Sequence, residues 1–345
     1  MNSLISLDLI SQPTCHPDEF LDYVHESILK CIEKNSDGKL RVMALKHFET
    51  KGKMLRPLFI RDLALSFNLD LGLVIPWAVT CELLHSATLI HDDLQDGDEL
   101  RRGQPTTWKE YGPEQAINLG DFFLIIAPQT MILSHTPCKN ELLHLFTVMS
   151  SRIVAGQVEE FDLNKFEGKK NLFEKYLICI SGKTSSLFSG LAIGVGITAG
   201  ISQEALQFLE SIFFQLGHIF QIQDDILDFY GDKQKGLRGS DIREGKLSFL
   251  VAHHLERNPE DFEIFASILK KKRADTTDDD LKIIEQLFHE KNNLDHCLDH
   301  LERRVDDLLS HSFFETNEIL FKVVNTFIAK VLVPINEISR KQINS

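Results

Sequence analysis

ELLHSATLIHDDLQD (residues 82–96) ends in an Asp-Asp-x-x-Asp pattern, and FQIQDDILD (residues 220–228) repeats that pattern later in the chain. Each pattern follows an apolar run rich in helix formers, so the three carboxylates are expected on roughly one face of a helix. Like charges crowded on a partly buried face are unfavourable unless cations neutralise them. Ligand sets made only of oxygen favour Mg²⁺, which also binds substrate phosphates. The patterns therefore predict two opposed acidic walls with these metal ligands: Asp92, Asp93, Asp96, Asp224, Asp225 and Asp228.

Basic side chains lie close to both aspartate patterns in the sequence: Lys53 and Arg56, Arg101 and Arg102, and Lys235 and Lys246. An acidic site bordered by Lys and Arg can hold a polyanion through bridging metal and through charge-assisted hydrogen bonds. Diphosphate is the natural candidate for that polyanion. Gln221 lies one helical turn before Asp225 and is expected on the same face.

The apolar segments of the chain predict helices throughout. Residues 73–94 and 206–229 are too long for ordinary strands, and neither has a narrow apolar stripe, so other helices should enclose them. Residues 187–201 predict a buried helix that is shorter than the ~20 residues needed to span a membrane. Residues 281–309 have the periodicity of a surface amphipathic helix or helix pair. These patterns predict an all-α, single-domain helical bundle around a deep central cavity, since bundle cores can present inward carboxylates.

The domain is expected to comprise residues 1–345, with its core motifs in 45–250 and C-terminal helices in 250–345. A net charge of −14 and a pI near 5.5 argue against nucleic acid as a partner. Six cysteines without a CxxC pair are typical of reduced thiols in a cytoplasmic protein. The N-terminus lacks the basic start of a signal peptide, and no transmembrane segment is expected.

As a set, the motifs of this chain resemble those of the trans (E-type) isoprenyl diphosphate synthases, or polyprenyl synthetase family, and among them the geranylgeranyl-type enzymes. The resemblance covers residues 45–250 in the family's order. It is carried by GKMLRP (52–57), ELLHSATLIHDDLQD (82–96), LRRGQPT (100–106), GQVEE (156–160), GKTSSLF (182–188), FQIQDDILD (220–228) and GSDIREGK (239–246). Three residues depart from the family's usual pattern: Lys51 replaces a Gly, Met54 an Arg and Glu160 an Asp. Lys235 also lies one residue off the usual spacing to the following Gly.

The resemblance implies an all-α homodimer that binds two diphosphate substrates with Mg²⁺, expected as three ions per site. Asp92, Asp93, Asp96 and Arg101 would hold the allylic diphosphate through metal. The isopentenyl diphosphate site would comprise Lys53, Arg56, His85 and Arg102. The remaining substrate contacts and catalytic groups would be Gln157, Lys183, Thr184, Gln221, Lys235 and Lys246, with Asp92 and Asp224 also counted as catalytic.

Three functions remain open at this point, with a chain-elongating prenyltransferase favoured. A terpene cyclase of related fold would have no use for the Arg56 and Arg102 site, and cyclases of that kind carry an Asn/Ser/Glu triad at the second position. A non-catalytic subunit of a heteromeric synthase commonly lacks one aspartate pattern, whereas this chain has both. The small Ala87 and Thr88 predict a product longer than fifteen carbons, with twenty expected. Leu84, Phe122 and Phe123 are the expected floor of the product tunnel.

Overall fold

The structure is a computed structural model that describes residues 15–49, 52–166, 168, 170–231 and 238–343. Within these residues the elements are helical apart from one hairpin of two short strands, which confirms the all-α prediction. The first half comprises α1 (Phe20–Asn35), α2 (Gly38–Glu49), α3 (Leu55–Ser66), a 3-10 turn (Leu71–Leu73), α4 (Ile75–Asp96), β1 (Leu100–Arg101), β2 (Gln104–Pro105), α5 (Thr107–Tyr111), α6 (Pro113–Ile132) and α7 (Lys139–Leu163).

The second half begins with α8, continues through a π-helical turn and ends in a long C-terminal helix. Its elements are α8 (Leu172–Ile180), the π turn (Ser181–Ser185), α9 (Ser186–Ala199), α10 (Gln203–Tyr230), α11 (Ser240–Arg243), α12 (Phe249–Arg257), α13 (Phe262–Leu269), α14 (Asp278–Glu290), α15 (Asn293–Leu309) and α16 (Glu318–Ile343), with 3-10 turns at Pro259–Asp261, Arg273–Asp275 and Ser312–Glu315.

The chain divides into two compact units, Met1–Ser150 with Gly190–Glu210, and Ser151–Ser189 with Ser211–Ser345. The boundaries fall within α7, within α9 and within α10. The first aspartate pattern belongs to the first unit and the second pattern to the second unit. The predictions of a single domain and of a central cavity lined by both patterns stay predictions.

The core of the first unit is built on α4, which packs along α6. Trp77, Leu83 and Leu84 of α4 are almost wholly buried, as are Phe123 and Met131 of α6. The indole N–H of Trp77 donates to the carbonyl of Leu191, and a Cβ at Gly194 would lie 2.1 Å from that indole nitrogen. A glycine is therefore needed for this close approach.

The run Leu172–Ala199 is the only described helix that is long and apolar enough to cross a membrane by length and composition. It is longer than the sequence predicts because the π turn joins α8 to α9 without a break. In its most apolar window 67% of the residues are buried inside the protein, which is usual for a core helix. The expectation of no transmembrane segment stays a prediction.

The predicted amphipathic segment 281–309 is a pair of helices, α14 and α15, rather than one helix. Asp278–Asp280 form the first turn of α14, where the side chains of Asp278 and Asp279 are exposed. Carboxylates are favourable there, close to the positive end of the helix dipole. Thr277 and Asp280 complete a capping box, and Lys271 pairs with Asp280.

Candidate active site

The first aspartate pattern occupies the last turns of α4, which ends at Gly97 in the left-handed conformation. Asp92 and Asp96 are partly accessible, whereas Asp93 is 4% exposed. Arg101 donates through Nε to Asp93 Oδ1 at 2.7 Å. Burial raises the pKa of Asp93, and the charge of Arg101 opposes that rise. Such a cation offsets part of the cost of removing a carboxylate from water.

The hairpin of β1 and β2 separates the two consecutive arginines. Its tight turn requires positive φ at Arg102 (53°) and at Gly103 (77°). Arg101 on β1 reaches the carboxylate of Asp93, whereas the guanidinium of Arg102 lies against Gly52. A Cβ at Gly52 would be 2.4 Å from Nη1 of Arg102. The glycine of the predicted GKMLRP motif therefore makes room for the second arginine.

A cavity of about 280 Å³ lies in the first unit, and we call it the arginine cavity. Arg101, Arg102 and Asp93 line it together with Gly52 and Met54. Its remaining walls are His25, Met43, Lys46, His47, Phe48, Glu49, Glu82, Ser86, Leu89, Gln104, Pro105, Thr106, Thr107, Glu110 and Tyr111. A buried methionine thus stands where the family's usual pattern has another arginine.

Two further residues predicted to bind isopentenyl diphosphate, His85 and Lys53, lie close in sequence to residues that line this cavity. His85 has a pKa well below its ordinary value because of its burial and the charges of Arg56 and Arg101. Its imidazole is therefore neutral at neutral pH and has one N–H to donate. Lys53 is exposed, one residue beyond Gly52. Lys51 lies outside the described residues.

Glu82 is a residue of this region to which sequence reasoning assigned no role. Its Oε2 is buried without a hydrogen-bond partner. Burial raises the pKa of Glu82, while the charges of Arg56 and Arg102 oppose the rise. Glu82 lies three residues before His85, about one turn along α4. This spacing could have indicated that the two side chains lie on the same face of the helix.

The second aspartate pattern lies near the C-terminal end of α10. Asp224 is exposed, whereas Asp225 is 6% exposed and accepts three hydrogen bonds. The donors are the Tyr176 hydroxyl at 2.8 Å, the Gln221 amide at 2.8 Å and the Phe249 backbone N–H at 2.6 Å. Burial raises the pKa of Asp225 to about 7, although these hydrogen bonds favour the charged form.

Asp228 closes the second pattern and is held by the start of α11. Its two carboxylate oxygens accept from the backbone N–H groups of Ser240 and Asp241, each at 3.1 Å. Burial raises the pKa of Asp228 to about 6 and raises that of Asp241 well above its ordinary value. The GSDIREGK motif thus contributes backbone donors to the aspartate cluster, a role its charged side chains did not suggest.

Lys183 and Thr184 lie in the π turn, which contacts α7 and α10 through glycines. A Cβ at Gly156 would lie 2.4 Å from the backbone nitrogen of Lys183, and a Cβ at Gly217 would lie 2.5 Å from Cα of Ser185. π-helical turns are rare and occur frequently at functional sites. The glycines therefore allow the backbone of the turn to approach both helices closely.

The π turn connects the predicted catalytic side chains. Lys183 pairs with Glu160 of α7 at 2.8 Å, and Thr184 donates to Gln221 Oε1 at 2.7 Å. Since Gln221 in turn donates to Asp225, Thr184, Gln221 and Asp225 form one hydrogen-bonded chain that ends at Tyr176. Burial opposes the lowering of the Glu160 pKa, but the charges of Lys183 and Lys246 prevail.

Three predicted binding residues remain in this unit. Lys246 pairs with Glu244 at 2.7 Å, and Arg273 pairs with the other oxygen of Glu244 at 3.2 Å. Gln157 is half-buried on α7, three residues before Glu160. Lys235 lies outside the described residues.

The sequence did not identify Tyr176 or the partner of Lys183. Tyr176 is two turns before Lys183, so its helical spacing could have placed it on the same side. Within the described residues, no three His, Cys, Asp or Glu side chains converge into a group that could hold a metal ion. The ligand roles of the six aspartates and their opposition as two walls stay predictions.

Comparison with known proteins extends these observations beyond the chain itself. Residues 38–287 match the family model described as polyprenyl synthetase. The short chain isoprenyl diphosphate synthase of Methanocaldococcus jannaschii is 33% identical over 257 residues, which cover 73% of this chain and 74% of that protein. The geranylgeranyl diphosphate synthase of Saccharolobus solfataricus is 31% identical over 286 residues, covering 81% and 85%.

A solved structure agrees with the observed fold. The geranylgeranyl pyrophosphate synthetase of Pyrococcus horikoshii has a TM-score of 0.76 and 27% identity, and the match covers 90% of this chain and 96% of that one. The family model spans most of the chain and includes both aspartate patterns, the arginine hairpin and the π turn. This chain therefore belongs to the polyprenyl synthetase family.

Proposed function

We propose that this protein is a trans-prenyltransferase that condenses isopentenyl diphosphate with an allylic diphosphate to give a longer trans-prenyl diphosphate. The observation that supports this proposal most directly is that the consecutive arginines, Arg101 and Arg102, have different partners. Both arginines line the arginine cavity, but the Arg101 guanidinium is paired with Asp93, whereas that of Arg102 lies against Gly52. Two guanidiniums with different partners suit two diphosphates, whereas a cyclase binds only one. Relatives named as short chain, geranylgeranyl and geranylfarnesyl diphosphate synthases support the same reaction.

The residues around the arginine cavity would bind isopentenyl diphosphate. Arg102 and Arg56 offer planar guanidinium donors that match phosphate oxygens in pairs. Neutral His85 supplies an N–H without adding charge. Lys53, which is exposed, can reach a diphosphate without the cost of breaking a buried contact. Bound in this way, the nucleophilic double bond is oriented before reaction, which removes much of the entropic barrier.

The π turn would serve the allylic substrate. Lys183 is charged and held by Glu160, so it can pass to the diphosphate that departs when the allylic C–O bond breaks. Thr184 commits its proton to Gln221, and its oxygen lone pairs are therefore available to a developing carbocation. Fixed dipoles of this kind stabilise charge as it develops. The released diphosphate is then the base that removes the final proton.

Mg²⁺ fits the donor chemistry of the aspartates, and we propose three ions per site. Asp92 and Asp96 present carboxylates one turn apart, and Asp224 is exposed at the second pattern. These residues, with Asp93, Asp225 and Asp228 behind them, would hold ions that withdraw charge from the departing diphosphate. Magnesium commonly keeps waters and takes substrate phosphates as ligands, so no closed protein cage is required.

A test of the reaction uses the purified chain, Mg²⁺, isopentenyl diphosphate and allylic primers of five, ten and fifteen carbons. The expected result is consumption of isopentenyl diphosphate in step with a longer prenyl diphosphate. Hydrocarbon or alcohol products formed without isopentenyl diphosphate would instead identify a cyclase. Inactivity with every primer, restored by a second subunit, would identify a partner in a heteromeric synthase. EDTA should abolish the reaction, and added Mg²⁺ should restore it.

We propose geranylgeranyl diphosphate, with twenty carbons, as the main product. Ala87 is fully buried on α4 and Leu84 lies one turn before it, while Thr88 donates to the carbonyl of His85. Ala87→Phe should shorten the product, since a ring at this position fills space that a longer tail needs. An active Ala87→Phe enzyme with unchanged product length would show that the tail runs elsewhere. Ala87→Ser, which hardly changes volume, is the matched control.

The predicted floor residues have distinct surroundings. Phe123 is fully buried and its ring lies 5.5 Å from those of His47 and Phe48, both of which line the arginine cavity. Phe122 is half-buried beside it. The roles of Leu84, Phe122 and Phe123 in chain length stay proposals, which Phe122→Ala and Phe123→Ala would test by product length.

We also propose that the protein is a cytoplasmic homodimer that associates through α6. Ile117, Ile125 and Ile132 on this helix are 48%, 63% and 51% exposed, which is costly for an isolated chain. Ile125→Asp should convert a dimer into a monomer in light scattering, while Glu114→Gln on the same helix should not. A wild-type monomer would contradict this proposal.

All six cysteines are free thiols, as suits a reducing compartment such as the cytoplasm, and cell fractionation tests that location.

A further inference from the structure

A second cavity, of about 380 Å³, lies in the second unit between α10 and α15. It is lined by Gln215, Ile219, His300, Arg303, Arg304 and Asp307. None of these residues belongs to the predicted catalytic or substrate-binding set. Two arginines and one carboxylate give the lining a positive balance, in a chain whose net charge is −14.

The arginines of this cavity have uncharged partners. Arg304 is half-buried; its Nε donates to His300 Nε2 at 2.8 Å and its Nη1 to His218 Nδ1 at 3.5 Å. Arg303 donates to the backbone carbonyl of Asp299. Among the described residues, no carboxylate forms an ion pair with either guanidinium. The carboxylate of Asp307 acts on Arg304 without forming an ion pair, so two guanidiniums against one carboxylate leave the cavity wall positively charged. An oxyanion would bind there with charge-assisted hydrogen bonds.

The imidazoles that accept from Arg304 must be neutral. The pKa of His218 and that of His300 are each lowered to about 4, through burial and through the charge of Arg304. His218 accepts at Nδ1, so its proton is on Nε2, which donates to Ser181 Oγ at 2.9 Å. Ser181 in turn donates to the carbonyl of Leu177 at 2.6 Å.

This chain of hydrogen bonds ends at the π turn. Ser181 is the first residue of the turn that carries Lys183 and Thr184. A path of three side chains, Arg304, His218 and Ser181, therefore joins the cavity to the segment proposed to act on the allylic substrate. An anion that draws the Arg304 guanidinium into the cavity removes its hydrogen bond to His218 and frees that ring to move.

We propose that the α10–α15 cavity binds a phosphate-class oxyanion, and that its occupancy lowers turnover by releasing His218 from Arg304. The guanidinium fork of Arg304 and the exposed head group of Arg303 can each pair with phosphate oxygens. This site is separate from the substrate diphosphate sites, so occupancy changes kcat rather than competing with either substrate.

Equilibrium binding of inorganic phosphate to the whole protein, with EDTA present, tests occupancy by calorimetry. Arg304→Gln should weaken one class of sites about tenfold or more, the loss expected for a hydrogen bond to a charged group. Lys322→Gln, an exposed cation on α16, is the matched control and should bind as wild type does. If Arg304→Gln unfolds, Arg303→Gln serves in its place, because Arg303 is exposed and should weaken the same sites. Unchanged binding by the folded variant overturns the proposal.

Steady-state kinetics at saturating concentrations of both substrates tests the coupling. Phosphate should lower the kcat of the wild type and of Lys322→Gln, and should not lower that of Arg304→Gln. Purely competitive inhibition, equal in wild type and variant, overturns the proposal. Competition with inorganic diphosphate and with a prenyl diphosphate then distinguishes two sources of the anion. If both displace phosphate, the site also accepts the head group of a prenyl diphosphate. If only inorganic diphosphate displaces it, the site accepts free anions alone. Displacement by neither overturns the assignment.

Discussion

The two Asp-Asp-x-x-Asp patterns have the same sequence but different surroundings. On α4, the buried middle residue, Asp93, is held by the guanidinium of Arg101. On α10, the buried middle residue, Asp225, is held by the uncharged donors of Tyr176, Gln221 and Phe249. In each pattern the aspartate just before this buried residue is the more accessible of the two. A repeated motif therefore repeats its geometry along the helix, while its electrostatics depend on what the rest of each unit supplies.

The difference has a chemical consequence. A cation beside Asp93 offsets much of the cost of burying a charge, and breaking that pair leaves an isolated buried carboxylate. Neutral donors offset less, so burial brings the pKa of Asp225 to about 7. In the first pattern, Arg101 favours the charged form of Asp93 against the rise in pKa that burial causes. In the second pattern, a cation such as a divalent metal would favour the charged form of Asp225.

The largest effects are expected from the accessible aspartates, where the two patterns should behave alike. Asp92→Ala and Asp224→Ala should each lower turnover about 100-fold or more, since metal-assisted charge stabilisation is worth several kcal/mol. Helical circular dichroism should be preserved because removing one of several like charges does not unfold a helix. Product formation and circular dichroism measure the two effects. Substantial product from either variant would exclude a metal role for that pattern.

The next largest effect is expected from Arg101 and Arg102, whose side chains have different partners. Arg102→Ala should chiefly raise the KM for isopentenyl diphosphate, and Arg101→Ala the KM for the allylic primer, each about ten- to hundredfold. Arg101→Ala should also lower the unfolding free energy because it leaves Asp93 buried without its cation. Initial rates and urea unfolding measure both effects. Equal shifts for one substrate would contradict the separation, and Lys109→Ala is a surface control.

Much of this site was predictable because helical spacing and residue chemistry are local. The i, i+1, i+4 aspartates predicted the faces of α4 and α10, and Gln221 was correctly placed one turn from Asp225. The partners of these residues were not predictable, since they arise from contacts far apart in sequence. Tyr176 reaches Asp225 across 49 positions. The different partners of Arg101 and Arg102 depend on positive φ in a two-residue turn. Helical spacing does not predict such a backbone conformation.

A pH series should sharpen the electrostatic contrast in metal-free protein. The pKa of Asp225 in the folded state, about 7, is above its ordinary value of 3.8. Its contribution to stability is therefore fully present below about 4 and is lost as the pH rises through 7. The unfolding free energy of wild type minus that of Asp225→Asn should accordingly fall between pH 4 and pH 8. Urea unfolding in EDTA measures it, and a difference that rises with pH would mean that neutral donors suffice to hold the charge.

The smallest expected effect removes one neutral donor from the second pattern. Tyr176→Phe deletes the hydroxyl that donates to Asp225, and a typical hydrogen bond contributes about 0.5–1.5 kcal/mol to stability. The loss of unfolding free energy should exceed that caused by the control Tyr230→Phe on the last turn of α10. It should be smaller when Asp225→Asn is already present, because both changes remove the same interaction. Urea unfolding of the four members of this cycle gives the coupling energy. If Tyr176 acts only by packing, its loss will be the same in both backgrounds, and Gln221 and Phe249 alone would then account for the hydrogen bonding of this carboxylate.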